Sequence, residues 1–248
     1  APVSVVDAAT GKTLKVLEHT QHCGEIVYFR DRLFVTIRDT TEMESSNSIR
    51  AIDPSTGNVL WESEKYNGFP GYHPQHDNLT MTLGEDRLFF LDEDGMVCLA
   101  VESGKQLWKS EFFDKSNNAA NNRSAMAMRL TSISESPSGL IYHDGKVFLL
   151  SQFTNPCLSA VDARTGNTLW QTHREPVSCG TASMMFIAQD QLWVLDGPTK
   201  LCGLDFKTGK NRTEYDITRA YKTVGGHIRC YPDKGSANTV WTTVGGKA

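Results

Sequence analysis

The sequence lacks any long hydrophobic run and any excess of positive charge. No apolar stretch approaches the roughly 20 residues that a membrane-spanning helix requires, so we expect no transmembrane helix among these 248 residues. The 25 Lys and Arg residues are outnumbered by 29 Asp and Glu, and the formal net charge is −4. Because nucleic-acid binding depends on cations that neutralise phosphates, we also expect no nucleic-acid partner.

Motifs of the common catalytic classes are missing as well. The sequence has no Cys-x-x-Cys-His haem motif, no Gly-x-Ser-x-Gly nucleophile turn and no Walker-type phosphate loop. These absences argue against haem chemistry, acyl transfer and phosphoryl transfer. The chain opens with Ala1-Pro2-Val3 and has neither an initiator Met nor a signal-peptide pattern, which is the start expected of a processed or truncated chain.

The sequence does contain one short pattern that recurs five times. The copies read SVVDAATGKTL, AIDPSTGNVLW, AVESGKQLW, AVDARTGNTLW and GLDFKTGK, beginning at Ser4, Ala51, Ala100, Ala160 and Gly203. Their glycines follow one another at intervals of 46, 47, 62 and 43 residues. This period is typical of four-stranded propeller blades, so the pattern predicts an all-β fold.

Each copy is predicted to form a β-hairpin that joins the third and fourth strands of a blade. An apolar strand ends at Asp, whose carboxylate accepts backbone N–H bonds across a tight turn, and Gly supplies the positive φ that closes the turn. A Trp on the fourth strand is placed to seal one blade against the next. The residues to which we assign these structural roles are Asp7, Gly11, Asp53, Gly57, Trp61, Gly104, Trp108, Asp162, Gly166, Trp170, Asp205 and Gly209.

Two copies depart from the pattern. The third is interpreted as having a shortened turn without Thr, because Glu102-Ser103-Gly104 replaces Asp-x-x-Thr-Gly. The first and last copies have Lys15 and Thr213 near the Trp position, so looser packing is expected there.

The pattern Ala-x-Asp-x-x-Thr-Gly-x-x-Leu-Trp resembles the PQQ-like (pyrroloquinoline-quinone-like) β-propeller repeat over nearly the whole chain. We therefore expect a single domain over residues 1–248, a β-propeller of about five four-stranded antiparallel blades. Its repeats are predicted at about 18–62, 63–109, 110–172 and 173–215, with a composite or partial blade from 1–17 and 216–248. Since proteins with this repeat commonly have eight blades, a closed five-bladed ring and a part of an eight-bladed propeller both stay open.

The resemblance implies a fold, and it does not imply a quinone. PQQ-dependent dehydrogenases typically present an adjacent-cysteine disulfide, calcium-ligating acids and a Trp platform, whereas this sequence has no Cys-Cys pair. His73-x-x-His76 and His19-x-x-His22-Cys23 have spacings that suit zinc or copper, but neither carries the remaining ligands at a recognised spacing. We predict no cofactor, no metal and no catalytic residue. The six cysteines are interpreted as buried thiols, with a disulfide between blades left open.

Function is expected on the loops that lead from the last strand of one blade to the first of the next, because such loops converge on one face. They are rich in aromatic, His and Arg side chains, and an Asn-rich insertion lies within 109–137, either as a source of hydrogen bonds or as a solvated excursion. The candidate partner-binding residues are Tyr66, Phe69, Tyr72, His73, His76, Arg123, Arg174, His227 and Arg229.

The functional hypothesis is a non-catalytic, extracytoplasmic binding scaffold that engages a protein or other macromolecular partner through these loops. It resembles, in fold and mode, the PQQ-like scaffold of bacterial outer-membrane assembly. The alternative is part of a quinoprotein oxidoreductase or a metal-dependent enzyme. A third hypothesis, the sensor ectodomain of a receptor, fits the fold but has no transmembrane or kinase motif to support it.

Overall fold

The computed structural model of the protein describes residues 2–39, 46–67, 80–92, 95–111, 139–150, 158–172, 185–196, 200–216, 234–235 and 240–241. The chain forms two units, residues 1–111 and 112–248. Apart from one turn of 3-10 helix, Glu18–Thr20, the regular secondary structure of these residues is β-strand. None of their helical structure is long and apolar enough to cross a membrane.

The described residues of the first unit form three antiparallel sheets. One sheet pairs β1 (Val3–Val6) with β2 (Thr13–Leu17). The next consists of β3 (Cys23–Phe29), β4 (Arg32–Asp39), β5 (Ser46–Ile52) and β6 (Val59–Glu62), with the short β7 (Tyr66–Asn67) also paired to β5. The last consists of β8 (Met81–Gly84), β9 (Arg87–Leu91), β10 (Gly95–Ala100) and β11 (Gln106–Glu111).

The second unit repeats this arrangement. Its first sheet consists of β12 (Gly139–His143), β13 (Lys146–Leu150), β14 (Leu158–Asp162) and β15 (Thr168–Thr172). Its second consists of β16 (Met185–Ala188), β17 (Gln191–Asp196), β18 (Lys200–Leu204) and β19 (Asn211–Asp216), and β20 (Lys234–Gly235) pairs with β21 (Val240–Trp241). In every four-stranded sheet the strands lie in chain order, which confirms the predicted all-β fold of four-stranded antiparallel blades.

The apolar cores lie between neighbouring sheets of each unit. In the first unit, Phe34 and Ile49 pack against Leu88 and Phe90 from the next sheet. Middle strands such as β9 and β10 are buried along nearly their whole length, whereas the outermost β11 alternates between exposed and half-buried residues. Burial of one such side chain stabilises a protein by about 1.5–3 kcal/mol, so the middle strands contribute most of the apolar stabilisation.

The repeated Asp-to-Gly pattern forms a tight turn held by hydrogen bonds. At Asp53, Oδ1 accepts the backbone N–H of Ser55 at 2.8 Å, and the Asp53 carbonyl accepts the N–H of Gly57 at 2.7 Å. Gly57 has φ +82°, a conformation that costs side-chain-bearing residues free energy. Hydrogen bonds from the Ser55 and Thr56 hydroxyls lower the pKa of Asp53 to about 2. The same turns stand at Asp7, Asp162 and Asp205.

The third copy of the pattern differs from the sequence interpretation, because its turn is not shortened. Ala100 occupies the place of Asp: its carbonyl accepts the N–H of Gly104 at 2.8 Å, as Asp162 accepts that of Gly166 at 2.9 Å. The Ser103 hydroxyl accepts the N–H of Lys105, as Thr165 accepts that of Asn167. The backbone hydrogen bonds and the glycine are therefore sufficient to form the turn, and the Asp carboxylate of the other copies adds further hydrogen bonds to it.

Replacing Ala100 by Asp is expected to stabilise the protein by about 0.5–2 kcal/mol, the usual gain from restoring a consensus residue. The new carboxylate would accept the backbone N–H groups of Glu102 and Ser103, and it would stand opposite Arg87 in the strand register. Thermal unfolding measures the effect. Ala100→Glu is the matched control, since it adds the same charge on a side chain too long for this turn. Equal midpoints for the two variants would contradict the account.

In two of the sheets a Trp on the outer strand contacts the turn of the next sheet. Trp61 on β6 donates its indole N–H to the carbonyl of Val101 at 2.8 Å, and its ring lies over Gly104. Trp170 on β15 repeats this contact with the carbonyl of Phe206 at 2.9 Å and with Gly209.

Lys15 takes the place of this Trp in the first copy. It lies opposite Val5 in the strand register, as Trp61 lies opposite Ala51. Its ammonium group donates to the carbonyl of Ser55 at 2.8 Å, and its methylene stem reaches Gly57. The same contact between neighbouring sheets is therefore made by a long aliphatic side chain with a polar end.

Candidate functional site

The connections of each four-stranded sheet leave from two opposite ends. The hairpin turn between the first two strands and the Asp-to-Gly turn lie at one end, which we call the turn end. The connections between the second and third strands, and those between successive sheets, leave from the other end, which we call the loop end. In the first unit the loop end contains Cys23, Arg38, Ser46, Tyr66, Met81, Asp92 and Glu111.

Eight of the nine candidate partner-binding residues lie outside the described residues. They are Phe69, Tyr72, His73, His76, Arg123, Arg174, His227 and Arg229. Their assignment stays a prediction. What the structure describes is the set of strand ends from which their segments depart, and these ends are tied together by polar contacts.

Tyr66 is the one candidate that the structure describes, and it is buried, with 8% of its surface exposed. Its strand β7 pairs with β5 opposite Asn47. The ring packs edge-on against Phe90, with centroids 4.8 Å apart, and the hydroxyl donates to Oε1 of Gln106 at 3.4 Å. Burial raises the pKa of Tyr66 to about 12. Tyr66 therefore fixes the start of the segment that carries Phe69, Tyr72, His73 and His76, and its ring is enclosed in the core.

A buried ion pair fixes the loop end of the second sheet. Asp92 is 3% exposed, and its Oδ2 lies 2.6 Å from Nζ of Lys109 on the outer strand. Its Oδ1 accepts the backbone N–H of Gly95 at 3.0 Å. Because a buried carboxylate without such partners is costly, this pair holds the ends of β9, β10 and β11 in one arrangement.

Arg50 and Glu62 fix the loop end of the first four-stranded sheet. Nε of Arg50 lies 3.0 Å from Oε2 of Glu62, and the Ser48 hydroxyl donates to Oε1 at 2.7 Å. Arg50 also donates to the carbonyl of His19 at 2.7 Å, which ties the 3-10 helix to the sheet. Burial raises the pKa of Glu62, but the hydrogen bonds from Arg50 and Ser48 outweigh it and the net shift is downward.

Glu25 joins the two sheets at the loop end. Its Oε2 accepts the backbone N–H of Met81, the first residue of β8, at 2.7 Å. Burial raises the pKa of Glu25 to about 7, against the opposing effect of the hydrogen bond from Met81. Sequence reasoning missed this residue. A charged side chain inside the apolar strand Cys23–Phe29 could have indicated a hydrogen-bond or ion-pair partner, because an unpaired charge is costly to bury.

The structure describes only some of the side chains that the sequence offers as metal ligands. Across the described residues no three His, Cys, Asp or Glu side chains are grouped as metal ligands require. Cys23, from the His19-x-x-His22-Cys23 sequence, donates its thiol to the carbonyl of Glu25 at 3.3 Å, and burial together with the Glu25 charge raises the pKa of that thiol. His73 and His76 lie outside the described residues.

Comparison with known proteins places this fold. The profile of the family described as outer membrane protein assembly factor BamB matches residues 45–230. No curated protein matches the chain significantly.

Among solved structures, the computationally designed Ika8 protein is 12% identical with a TM-score of 0.54, covering 97% of this chain and 74% of that one. The quinohemoprotein alcohol dehydrogenase from Comamonas testosteroni is 16% identical, with a TM-score of 0.52, and the match covers 77% of this chain. The quinohemoprotein alcohol dehydrogenase ADHIIG from Pseudomonas putida HK5 is 14% identical, with a TM-score of 0.53, and the match covers 88%. This chain spans only 34% and 40% of those two dehydrogenases.

At these identities the structural neighbours establish the fold alone, and that fold is the β-propeller. The family assignment comes from the sequence profile, which covers three quarters of the chain and all of the described sheet β12–β15. The chain belongs to the PQQ-like β-propeller family described as outer membrane protein assembly factor BamB.

Proposed function

We propose that this protein is a non-catalytic binding scaffold of the bacterial cell envelope that engages a protein partner through the segments at its loop end. The observation that carries the proposal is the match of residues 45–230 to a family described as an outer membrane protein assembly factor. Assembly factors act by holding other proteins, so a rigid frame with variable connecting segments suits the role.

The use of the repeated residues supports the same proposal. The carboxylates of Asp7, Asp53, Asp162 and Asp205 accept hydrogen bonds inside their own turns. The repeated Trp61 and Trp170 pack onto neighbouring turns. These groups are engaged in holding the sheets, so recognition falls to the segments that differ from one repeat to the next.

The chemistry of those segments fits a protein surface. The residues Phe69, Tyr72 and Arg174 belong to the side-chain types that supply most of the binding energy at protein interfaces. In the first unit, Tyr66 and Asp92 at the loop end are held by burial and by hydrogen bonds or ion pairing. A rigid base reduces the entropy that a segment loses on binding, which favours partner recognition at this end.

Alanine substitution of Phe69, Tyr72 or Arg174 is expected to weaken partner binding by roughly 10- to 100-fold, the range of a hot-spot truncation. The partner is first identified by crosslinking the full chain in an envelope extract, and the affinity of the purified partner is then measured for each variant. Thermal unfolding of each variant verifies that the fold is intact.

The matched controls are Lys12→Ala and Lys105→Ala, two exposed residues in turns at the opposite end. They are expected to leave the affinity unchanged. If the turn-end variants abolished binding while the loop-end variants retained it, the proposed surface would be wrong. A quinone or metal bound in stoichiometric amount would instead favour the enzymatic alternative.

A further inference from the structure

Glu25 occupies an irregular position in β3. The register between β3 and β4 shifts between Cys23 and Ile26, and such a bulge redirects a side chain. The backbone N–H of Glu25 donates to the Thr36 hydroxyl at 2.8 Å, and its carboxylate accepts the N–H of Met81 at 2.7 Å. The side chain therefore links the first strand of one four-stranded sheet to the first strand of the next.

Few charged groups on the described elements next to Glu25 are able to balance its charge. The neighbouring β8, Met81–Gly84, carries no titratable side chain. On β4, Arg38 lies on the same face as Thr36 by strand alternation, whereas Arg32 stands at the far end of the strand and is paired with Glu102. The other titratable groups on β3 are the thiol of Cys23 and the hydroxyl of Tyr28, and Tyr28 donates to Asp31 at the far end of the strand. Val27, Phe29 and Leu83 pack against the apolar core directly beneath.

We propose that Glu25 is a proton-dependent junction between the sheets β3–β6 and β8–β11. With its proton, the side chain is accommodated at low cost in this largely apolar setting. Without it, the partly buried charge destabilises the first unit, and the hydrogen bond to Met81 offsets this only in part. Met81 follows the segment that carries Phe69, Tyr72, His73 and His76, so an effect on partner binding rests on the proposed function, whereas the junction itself does not.

The direction of the pH effect follows from the pKa values. Glu25 has a pKa of about 7 in the folded protein, above the ordinary 4.5. Between these two values the folded state retains a proton that the unfolded chain has lost, so stability falls as pH rises through this window and levels off above it. Gln at position 25 keeps an oxygen for the Met81 N–H and has no proton to lose.

The experiment compares the unfolding equilibria of the full chain and of Glu25→Gln at pH 5 and pH 8. At pH 8 the variant is expected to have an unfolding equilibrium constant roughly 10- to 100-fold smaller than that of the wild type, after allowance for partial exposure of the side chain. At pH 5 the difference is expected to shrink to about fourfold or less, because most of the window lies above that pH. Glu62→Gln is the control, and it is expected to lose stability at pH 8, because Glu62 has a lowered pKa and is paired with Arg50.

Parallel stability curves for the wild type and Glu25→Gln from pH 5 to pH 8 would overturn the junction. If the variant does not fold, the proposal is tested instead by following the NMR resonance of the Met81 backbone amide in the wild type as a function of pH. A titration of that resonance with a midpoint near 7 supports the proposal, and no titration between pH 5 and pH 8 rejects it. None of these measurements uses a partner, so their outcome is independent of the binding experiment.

Discussion

Gly104→Ala and Gly209→Ala are each expected to lower stability by about 2–5 kcal/mol. A Cβ built on either glycine stands 2.5 Å from the Cε3 atom of a tryptophan, Trp61 or Trp170, which is far inside contact distance. Both glycines also have positive φ, at +69° and +67°. The left-handed conformation costs about 1–2 kcal/mol and overpacking adds about 1–3 kcal/mol. Denaturant unfolding of the full chain measures the loss.

The same turn in other copies provides graded controls. Gly11 has φ +71° and nothing within 4 Å of the added Cβ, so Gly11→Ala is expected to cost only the conformational part, about 1–2 kcal/mol. A Cβ built on Gly57 stands 3.1 Å from Cε of the flexible Lys15 side chain. The stability loss of Gly57→Ala is therefore expected to lie between those of Gly11→Ala and Gly104→Ala. Trp61→Leu is expected to relieve the clash at Gly104, so the double variant should cost less than the sum. Equal losses at all four glycines would show that the tryptophan contacts carry no energy.

Trp61→Ala and Trp170→Ala are each expected to destabilise the protein by about 3–5 kcal/mol, the usual range for removing a large core aromatic. Each indole packs against a phenylalanine of its own sheet, Phe34 at 5.8 Å or Phe148 at 5.9 Å between centroids. Each also donates to a backbone carbonyl of the next sheet. Loss of the ring removes both contacts, and at Val101 it leaves the carbonyl with only the weaker hydrogen bond from Arg32 at 3.4 Å.

Two further variants separate packing from hydrogen bonding. Trp61→Phe retains most of the ring and loses the bond to Val101, for an expected cost of about 0.5–1.5 kcal/mol. Lys15→Ala removes the equivalent contact in the first copy, where the polar end is exposed, and is expected to cost under about 1 kcal/mol. Segment-resolved hydrogen exchange locates the effect. If Trp61→Ala and Lys15→Ala lower the free energy of unfolding by the same amount, the indole is not the group that stabilises the contact between sheets.

The strands and their order could be predicted from the sequence because their signals are local. An apolar stretch such as Arg32–Asp39 preceded by a turn specifies a strand without reference to the rest of the chain. The Asp-to-Gly turn specifies the next hairpin by its own hydrogen bonds. Each of the sheets β3–β6, β8–β11, β12–β15 and β16–β19 accordingly has this turn between its third and fourth strands.

The turn at Ala100 was harder to place because its letters align in two ways. Matching Ala100 to the alanines of other copies leaves the turn two residues short. Matching it to Asp162 restores the length, and only the backbone bond from Gly104 distinguishes the two. The first alignment matches identical residues. The structure supports the second, in which the glycine with positive φ keeps its position in the turn.

The candidate site could be predicted less well because burial there depends on distant residues. Tyr66 has the composition of a contact residue, yet the two-residue strand β7 pairs with β5 and encloses the ring against Phe90. A strand that short has no periodicity to detect. Glu25 is directed to Met81 by a bulge and by a neighbouring sheet that lies 56 residues away in the chain, and neither leaves a local signal. The remaining candidates stay predictions.

The most direct test of the scaffold proposal is native mass spectrometry of the protein isolated from its source, with metal and quinone analysis of the same sample. We expect the chain to be found with a protein partner and without a stoichiometric metal or quinone. One quinone or one metal ion per chain, in the absence of any partner, would contradict the proposed function and would assign the chain to an enzyme.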